Sequence, residues 1–194
     1  MGKITLIIFL IAANCSSVYG QNRLAVHKTT LLNADLKKQR LSEIVDNQPF
    51  VIIFYTTECP ICQKYVPILR GLADCFPSVK FVTVFTKINA ATNFQDFVKN
   101  TPLSNLGSKN GISPFWDKRN RLAHRLHATA TPEAFLFDAK GHLKYRGAID
   151  NWFFALGKYR ETATENYLSD AIASLLKNEK IKIEKTTPIG CLIE

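Results

Sequence analysis

No stretch of this 194-residue sequence offers the about 20 consecutive apolar residues that a membrane-spanning helix needs. There is no dense basic run interleaved with aromatic residues either. The 25 Lys and Arg against 16 Asp and Glu, a formal net charge of +9, are spread along the chain as a solvated basic face rather than a nucleic-acid footprint. Histidine is scarce at four residues, and only His124 and His127 could supply a second ligand pair to the one Cys-x-x-Cys, so a zinc site is not expected. No internal repeat and no linker divides the chain, which leaves a single domain with tails. What is present is globular: 46% hydrophobic and 21% charged residues, enough apolar material to bury a core without disulfides. The five cysteines therefore call for an explanation other than stapling.

Residues 1–20 have the form of an export signal. Lys3 gives a positive start, residues 4–13 are apolar but for Thr5, and Val18 and Gly20 are small residues ahead of Gln21. Ala12-Ala13-Asn14-Cys15 loosely resembles a lipoprotein cleavage box, which would place a lipid anchor at Cys15. Either route starts the mature domain near residue 21 and puts it to work outside the cytoplasm, in a periplasmic or other extracytoplasmic space. The domain is expected over residues 21–178, with a tail over 179–194.

Apolar periodicity predicts a helix around 36–46, then a strand buried on both faces at 50–55, Phe-Val-Ile-Ile-Phe-Tyr. Ile61, Tyr65, Ile68, Leu69 and Leu72 fall at helical spacing over 60–75, with Pro60 suited to the first turn. A second strand is expected at 80–86, a helix at 91–100, a long loop over 101–118 and a helix at 117–128. Strands at 134–138 and 143–146 flank the turn Lys140-Gly141, a loop carries Trp152 and Phe153, and a helix over 164–178 has Thr164 as its cap. Strand–helix–strand followed by a hairpin implies an α/β fold with a mixed central β-sheet and helices on both faces.

Cys59-Pro60-Ile61-Cys62 lies where the buried strand ends and the helix begins. A helix N-terminus offers free N–H groups and the positive end of the macrodipole, which favour a thiolate. Cys59 is expected to be the more acidic and more exposed sulfur, and Cys62, one turn on, the thiol that resolves a mixed disulfide. A plain structural disulfide is the bland alternative, although so short a loop gains little from closure.

The strand–CxxC–helix unit, Pro67 five residues after Cys62, and Thr131-Pro132 ahead of a strand together resemble the thioredoxin-like superfamily. More narrowly, the chain resembles exported thioredoxin-like and redoxin proteins of the peroxiredoxin-related AhpC/TSA type, over about residues 50–178. That resemblance implies a thioredoxin-like fold and dithiol–disulfide exchange with protein thiols, regenerated by a redox partner. It also implies a cis peptide at Pro132, in a loop whose backbone (Thr131, Pro132) pairs with substrate and keeps metals from the sulfurs. No metal and no cofactor is called for. Departures are Glu58 where thioredoxin has tryptophan, which should raise the Cys59 pKa, and Ile53 where it has a buried acid.

Of the other cysteines, Cys75 reads as a small buried residue. Cys191 stands in an apolar patch, Ile189-Gly190-Cys191-Leu192-Ile193, and a Gly-Cys pair also ends similar redoxin-like chains. It is a possible additional resolving thiol for Cys59, or else part of a docking tail that packs or pairs with Cys75. Two other functions compete. A thiol peroxidase would use Thr56 and Cys59, with Arg125 or Arg146 beside the thiolate. A copper-binding protein would use the two cysteines and a histidine.

Overall fold

The computed structural model describes residues 26–56, 58–86, 94, 98 and 112–193. The expected export signal and Cys15 lie outside them, and of the expected helix at 91–100 only Phe94 and Val98 are described, both helical. In chain order the elements are β1 (Thr30–Leu32), β2 (Lys38–Arg40), α1 (Leu41–Val45), β3 (Phe50–Tyr55), α2 (Pro60–Cys75), β4 (Lys80–Phe85), β5 (Ser113–Trp116), α3 (Arg121–Leu126), β6 (Ala130–Thr131), β7 (Glu133–Phe137), β8 (Leu143–Gly147), β9 (Phe153–Ala155), β10 (Lys158–Tyr159), α4 (Tyr167–Leu176) and β11 (Cys191–Leu192).

Seven strands form one mixed sheet in the order β2-β1-β5-β4-β3-β7-β8. β3 runs parallel to β4 and antiparallel to β7, in register over Ile52↔Val82 and Ile52↔Phe135. Every residue of β3 is buried, because helices cover both faces of the sheet. Val51, Ile53 and Tyr55 pack with α2 and α4 in one core. Phe50, Ile52 and Phe54 alternate to the other side and pack with α1 and α3. The expected α/β architecture, a mixed sheet between two helical layers, is the one observed.

Local readings differ where tertiary pairing overrides pattern. The expected helix at 36–46 is instead a hairpin strand, β2, followed by the short α1; Leu36 has a positive φ of 60° in the turn between β1 and β2. The loop expected over 101–118 contains β5, which pairs with β4 although Pro114 argues against a strand. Only one residue pair, Leu32↔Trp116, joins its other side to β1. Asp117 precedes α3 rather than belonging to it, and its buried carboxylate accepts the amides of Arg121, Leu122 and Ala123 at 3.0, 2.6 and 3.2 Å. Asn166, not Thr164, stands at the N-cap of α4; Thr164 is held by Asn151 in the preceding loop. Trp152 and Phe153 lead into the hairpin β9–β10.

The tail is more structured than its polar composition implies. It runs beside the end of β8, where the Arg146 amide donates to Glu184 O and the Thr186 amide to Arg146 O, each at 3.0 Å. The Tyr145 hydroxyl donates to Ala148 O at 2.6 Å, so its oxygen accepts the Thr186 hydroxyl, also 2.6 Å away. Gly147, at φ 135°, permits this approach, since a Cβ there would strike Thr186.

Truncating Phe54, fully buried against the edge of the Phe135 ring, is expected to cost about 3–5 kcal/mol. Denaturant unfolding of Phe54→Ala checks this, and a loss under about 1 kcal/mol, the scale of exposed substitutions, would contradict the central placement of β3.

Candidate active site

β3 leads directly to the reactive position. Cys59 occupies the N-cap of α2 with extended backbone angles (φ −89°, ψ 113°), and Pro60 fills the first helical position, where its missing N–H leaves no orphan donor. Pro67 lies inside the same helix. Cys62 sits one turn along on the buried face, which continues through Tyr65, Val66 and Leu69.

The loop that meets this helix end comes from β6. The Thr131–Pro132 peptide is cis. In its thiol form Cys59 donates to Thr131 O at 3.3 Å, across 72 residues of sequence. Glu133, fully buried, holds the loop: its Oε2 accepts the Thr129 amide at 2.7 Å, the Ala130 amide at 3.3 Å and the Thr129 hydroxyl at 3.2 Å. Its Oε1 has no hydrogen bond and lies 3.7 Å from the Arg146 guanidinium.

The third participant is the tail. β11 pairs antiparallel with β6, setting Cys191 opposite Thr131 and Leu192 opposite Ala130. The Cys191 thiol donates to the Cys59 sulfur at 2.6 Å, and the Thr131 hydroxyl donates to Cys191 O at 3.4 Å. Cys59, Cys62 and Cys191 thus converge, all with free sulfurs. Cys59, expected to be exposed, has 0% exposure. Cys75, expected to be buried, is exposed at the end of α2, and Cys191 lies against Cys59 instead of pairing with it.

Electrostatics separates the three sulfurs. The Cys62 S–H bonded to Cys59 is the largest influence on the latter; with the Cys191 S–H and smaller help from the Cys62 and Cys191 amides it outweighs burial, lowering the Cys59 pKa to about 5. Exposed Glu58, expected to raise it, does not set the outcome. Burial, then its bond to the Cys59 sulfur, pushes Cys62 well above the usual thiol range. Burial and the adjacent Cys59 push Cys191 up to about 12. Tyr55 is near enough that both sulfurs add to the upward push of burial on its phenol.

A narrow crevice beside the site is lined by Tyr65, Pro132, Asp150, Phe153 and Ile189. The Tyr65 hydroxyl donates to Asp150 at 2.5 Å, and burial raises the Asp150 pKa. Sequence reasoning missed Glu133, Tyr65 and Asp150. Glu133 left a usable signal, an acid between a cis-proline and an apolar strand; the Tyr65–Asp150 pair, 85 residues apart, left none.

The arginines a peroxidase would place at the thiolate are engaged elsewhere. Arg125 donates to the Thr29 hydroxyl, and Arg146 donates to His127 O and faces Glu133. His124 and His127 are exposed at α3 and its C-cap. Among the described residues no three His, Cys, Asp or Glu side chains form a metal-binding group.

The fold and the cysteine pair at a helix start define a thioredoxin-like redox protein. The AhpC/TSA family model matches residues 24–146, and the chain belongs to that family. It is 30% identical over 102 residues to the sporulation thiol-disulfide oxidoreductase A of Bacillus subtilis, an alignment covering 50% of this chain and 57% of that relative. The chain therefore spans little more than half the length of that relative. Among solved structures, a hypothetical protein from Sinorhizobium meliloti superposes with a TM-score of 0.66 at 23% identity, covering 87% of this chain and 91% of that one. A secreted disulfide oxidoreductase of Mycobacterium tuberculosis gives a TM-score of 0.53 at 19% identity, over 77% and 98%. At these identities the two structures speak for the fold.

Thiolate absorbance of the reduced protein is expected to titrate with a midpoint near 5. Cys62→Ala, which removes the strongest donor, should move it upward, and Cys191→Ala should do so by less. Because the folded value is depressed, Cys59 stabilises the reduced fold above the ordinary thiol value of 9.0, and that contribution disappears as pH falls through about 5. A midpoint near 9 unaffected by either variant would contradict this arrangement.

Proposed function

We propose that the protein is an exported thiol–disulfide oxidoreductase that exchanges disulfides with protein thiols, and that a separate redox partner returns it to its starting state. One observation carries the reading: Cys59 caps the start of α2 one turn from Cys62 and faces the cis Thr131–Pro132 loop, in surroundings that lower its pKa to about 5. The Cys59 thiolate attacks a client disulfide, the client S–S bond breaks, and the leaving client sulfur takes a proton. Cys62 then loses its proton and attacks the Cys59 sulfur, which frees the second client sulfur and leaves a Cys59–Cys62 disulfide. Run backwards, the same steps oxidise a client.

The neutral state of Cys62 suits its role. A resolving thiol that stays protonated cannot compete with Cys59 for the first attack. A mixed disulfide at Cys59 removes the part of the upward push that the Cys59 sulfur adds to that of burial, which makes the second deprotonation easier. The Thr131 and Ala130 backbone would then hold the client as an added strand, the mode of recognition in which main-chain hydrogen bonds supply affinity. Work outside the cytoplasm is supported by the export-like start of the sequence, and no helix among the described residues is long and apolar enough to cross a membrane.

An equilibrium redox titration of wild type and of Cys59→Ser, Cys62→Ser and Cys191→Ser variants checks the mechanism. A reversible two-electron couple is expected in wild type and in Cys191→Ser, and it should be absent when Cys59→Ser or Cys62→Ser is combined with Cys191→Ser, which removes the thiol lying against Cys59. Full peroxide-driven oxidation of Cys59 retained in Cys62→Ser would instead favour a thiol peroxidase.

A further inference from the structure

Where a client strand would lie against β6, the molecule has placed its own tail. Cys191 faces Thr131 in an antiparallel pair, and its sulfur is 2.6 Å from that of Cys59. The Ile193 amide extends the pairing to Thr129 O at 3.1 Å. Gly190 has a steric reason: a Cβ there would collide with the Thr131 carbonyl and come within 3.1 Å of Pro132 N. Ile189 packs against the core under α2 and α4, and Ile193 against the core on the opposite face. Leu192 between them is 80% exposed.

We propose that residues 189–193 are a tethered copy of the client. By that model, the protein segments exchanged at Cys59 present a cysteine in an extended strand, with glycine just before it and apolar residues nearby, and they bind along Ala130–Thr131 after the tail has left. The inference rests on the exchange reading and deepens it, by naming the substrate class and the device that gates the site.

Two features make the tail an exchangeable occupant rather than a permanent wall. It is sewn down upstream, where the Thr186 hydroxyl accepts the Ala148 amide at 2.9 Å and donates to Tyr145. That tether keeps its effective concentration at the site high. At the site itself its strand is two residues long, extended by the Ile193 amide and the packing of Ile189 and Ile193, so a longer client strand can displace it. Until it leaves, Cys59 has no exposed surface for a client to reach.

The tail also has chemistry of its own once Cys59 and Cys62 are joined. Cys191 gives up its proton and attacks the Cys59 sulfur. A Cys59–Cys191 bond forms as the Cys59–Cys62 bond breaks, and the electron pair remains on Cys62, which takes up a proton. No net oxidation occurs, and a client thiol would carry out the same substitution from the same position.

The test uses the reduced full chain as wild type and as Gly190→Val, which drives the tail out of the groove. The probe is the peptide Pro-Ile-Gly-Cys-Leu-Ile with its cysteine joined in a mixed disulfide to 5-thio-2-nitrobenzoate; attack by Cys59 on the peptide sulfur releases the coloured thiolate. A twin peptide carries valine in place of glycine, and hydroxyethyl disulfide serves as a small probe that needs no groove. Gly190→Val is expected to react with the glycine peptide about tenfold or more faster than wild type, because the open groove is no longer a minor state. It should prefer that peptide over the valine twin by a similar factor. Thr186→Val, which loosens the tail without adding bulk at the site, should change the rate in the same direction by less. Peptide mapping of the oxidised wild type should find the Cys59–Cys191 disulfide, and Gly190→Val should lack it. Equal peptide rates in wild type and Gly190→Val, or no discrimination between the peptides, would overturn the tethered-client proposal while leaving exchange intact. Failure of Gly190→Val to react even with hydroxyethyl disulfide would sink the exchange reading and the proposal with it.

Discussion

The site depends on the burial of β3 between two hydrophobic layers. Its six residues alternate between the core under α2 and α4 and the core under α1 and α3, so a register slip of one would exchange the two sets of side chains. Pairing with β4 on one side and β7 on the other fixes the strand further. The end of β3 is therefore one of the least movable points in the molecule, and Cys59 follows it by four residues. β7 descends from the Thr131–Pro132 loop, so the same pairing that immobilises β3 also sets the height of that loop relative to the sulfur. A thiolate needs donors at fixed distance, and this arrangement provides them without a loop having to order itself first.

Glu133 extends that logic into the loop. A fully buried carboxylate is costly unless its lone pairs are filled, and three donors from Thr129 and Ala130 fill one oxygen. The other oxygen is left to the Arg146 guanidinium, which also donates to His127 O and lies over the Phe135 ring. The acid thus shapes the strand that receives the tail and, in the proposed exchange, a client. Its distance from the chemistry makes it a positioning residue, working through the backbone of Ala130 and Thr131.

How much of this the sequence disclosed follows from the range of each interaction. β3 and α2 were legible to the residue, since a fully apolar run and a helical stripe opening at Pro60 are local patterns. The cis peptide at Pro132 was legible by resemblance. β2 and β5 were not, because each is a strand on account of its neighbours: β2 by its hairpin with β1, β5 by β4, against the propensity of Pro114. The tail gave half its meaning away. Gly190-Cys191 in an apolar patch marked a thiol with a purpose, but the strand against β6 joins residues about sixty positions apart, which periodicity cannot reveal. Burial of Cys59 was misjudged for the same reason, since Thr131 and Cys191, which lie against it, come from far along the chain.

Three sulfurs in contact with one negative charge among them raise the question of which thiol completes an exchange. Cys62 and Cys191 both donate to Cys59, which lowers its pKa, while burial and the Cys59 sulfur raise theirs. Their environments differ: Cys62 is locked on the buried face of α2, whereas Cys191 hangs on a short ladder that a client must break. With a client on β6, as proposed, Cys191 would be displaced and Cys62 alone would remain within reach of the mixed disulfide. Once the client had gone, the tail would return and Cys191 would meet the oxidised pair. On the proposed exchange the two thiols would act in sequence and not in competition, Cys62 closing the exchange and Cys191 meeting its product. Order in that proposed reaction would come from occupancy of a single strand position, with no need for a difference in intrinsic reactivity between the two.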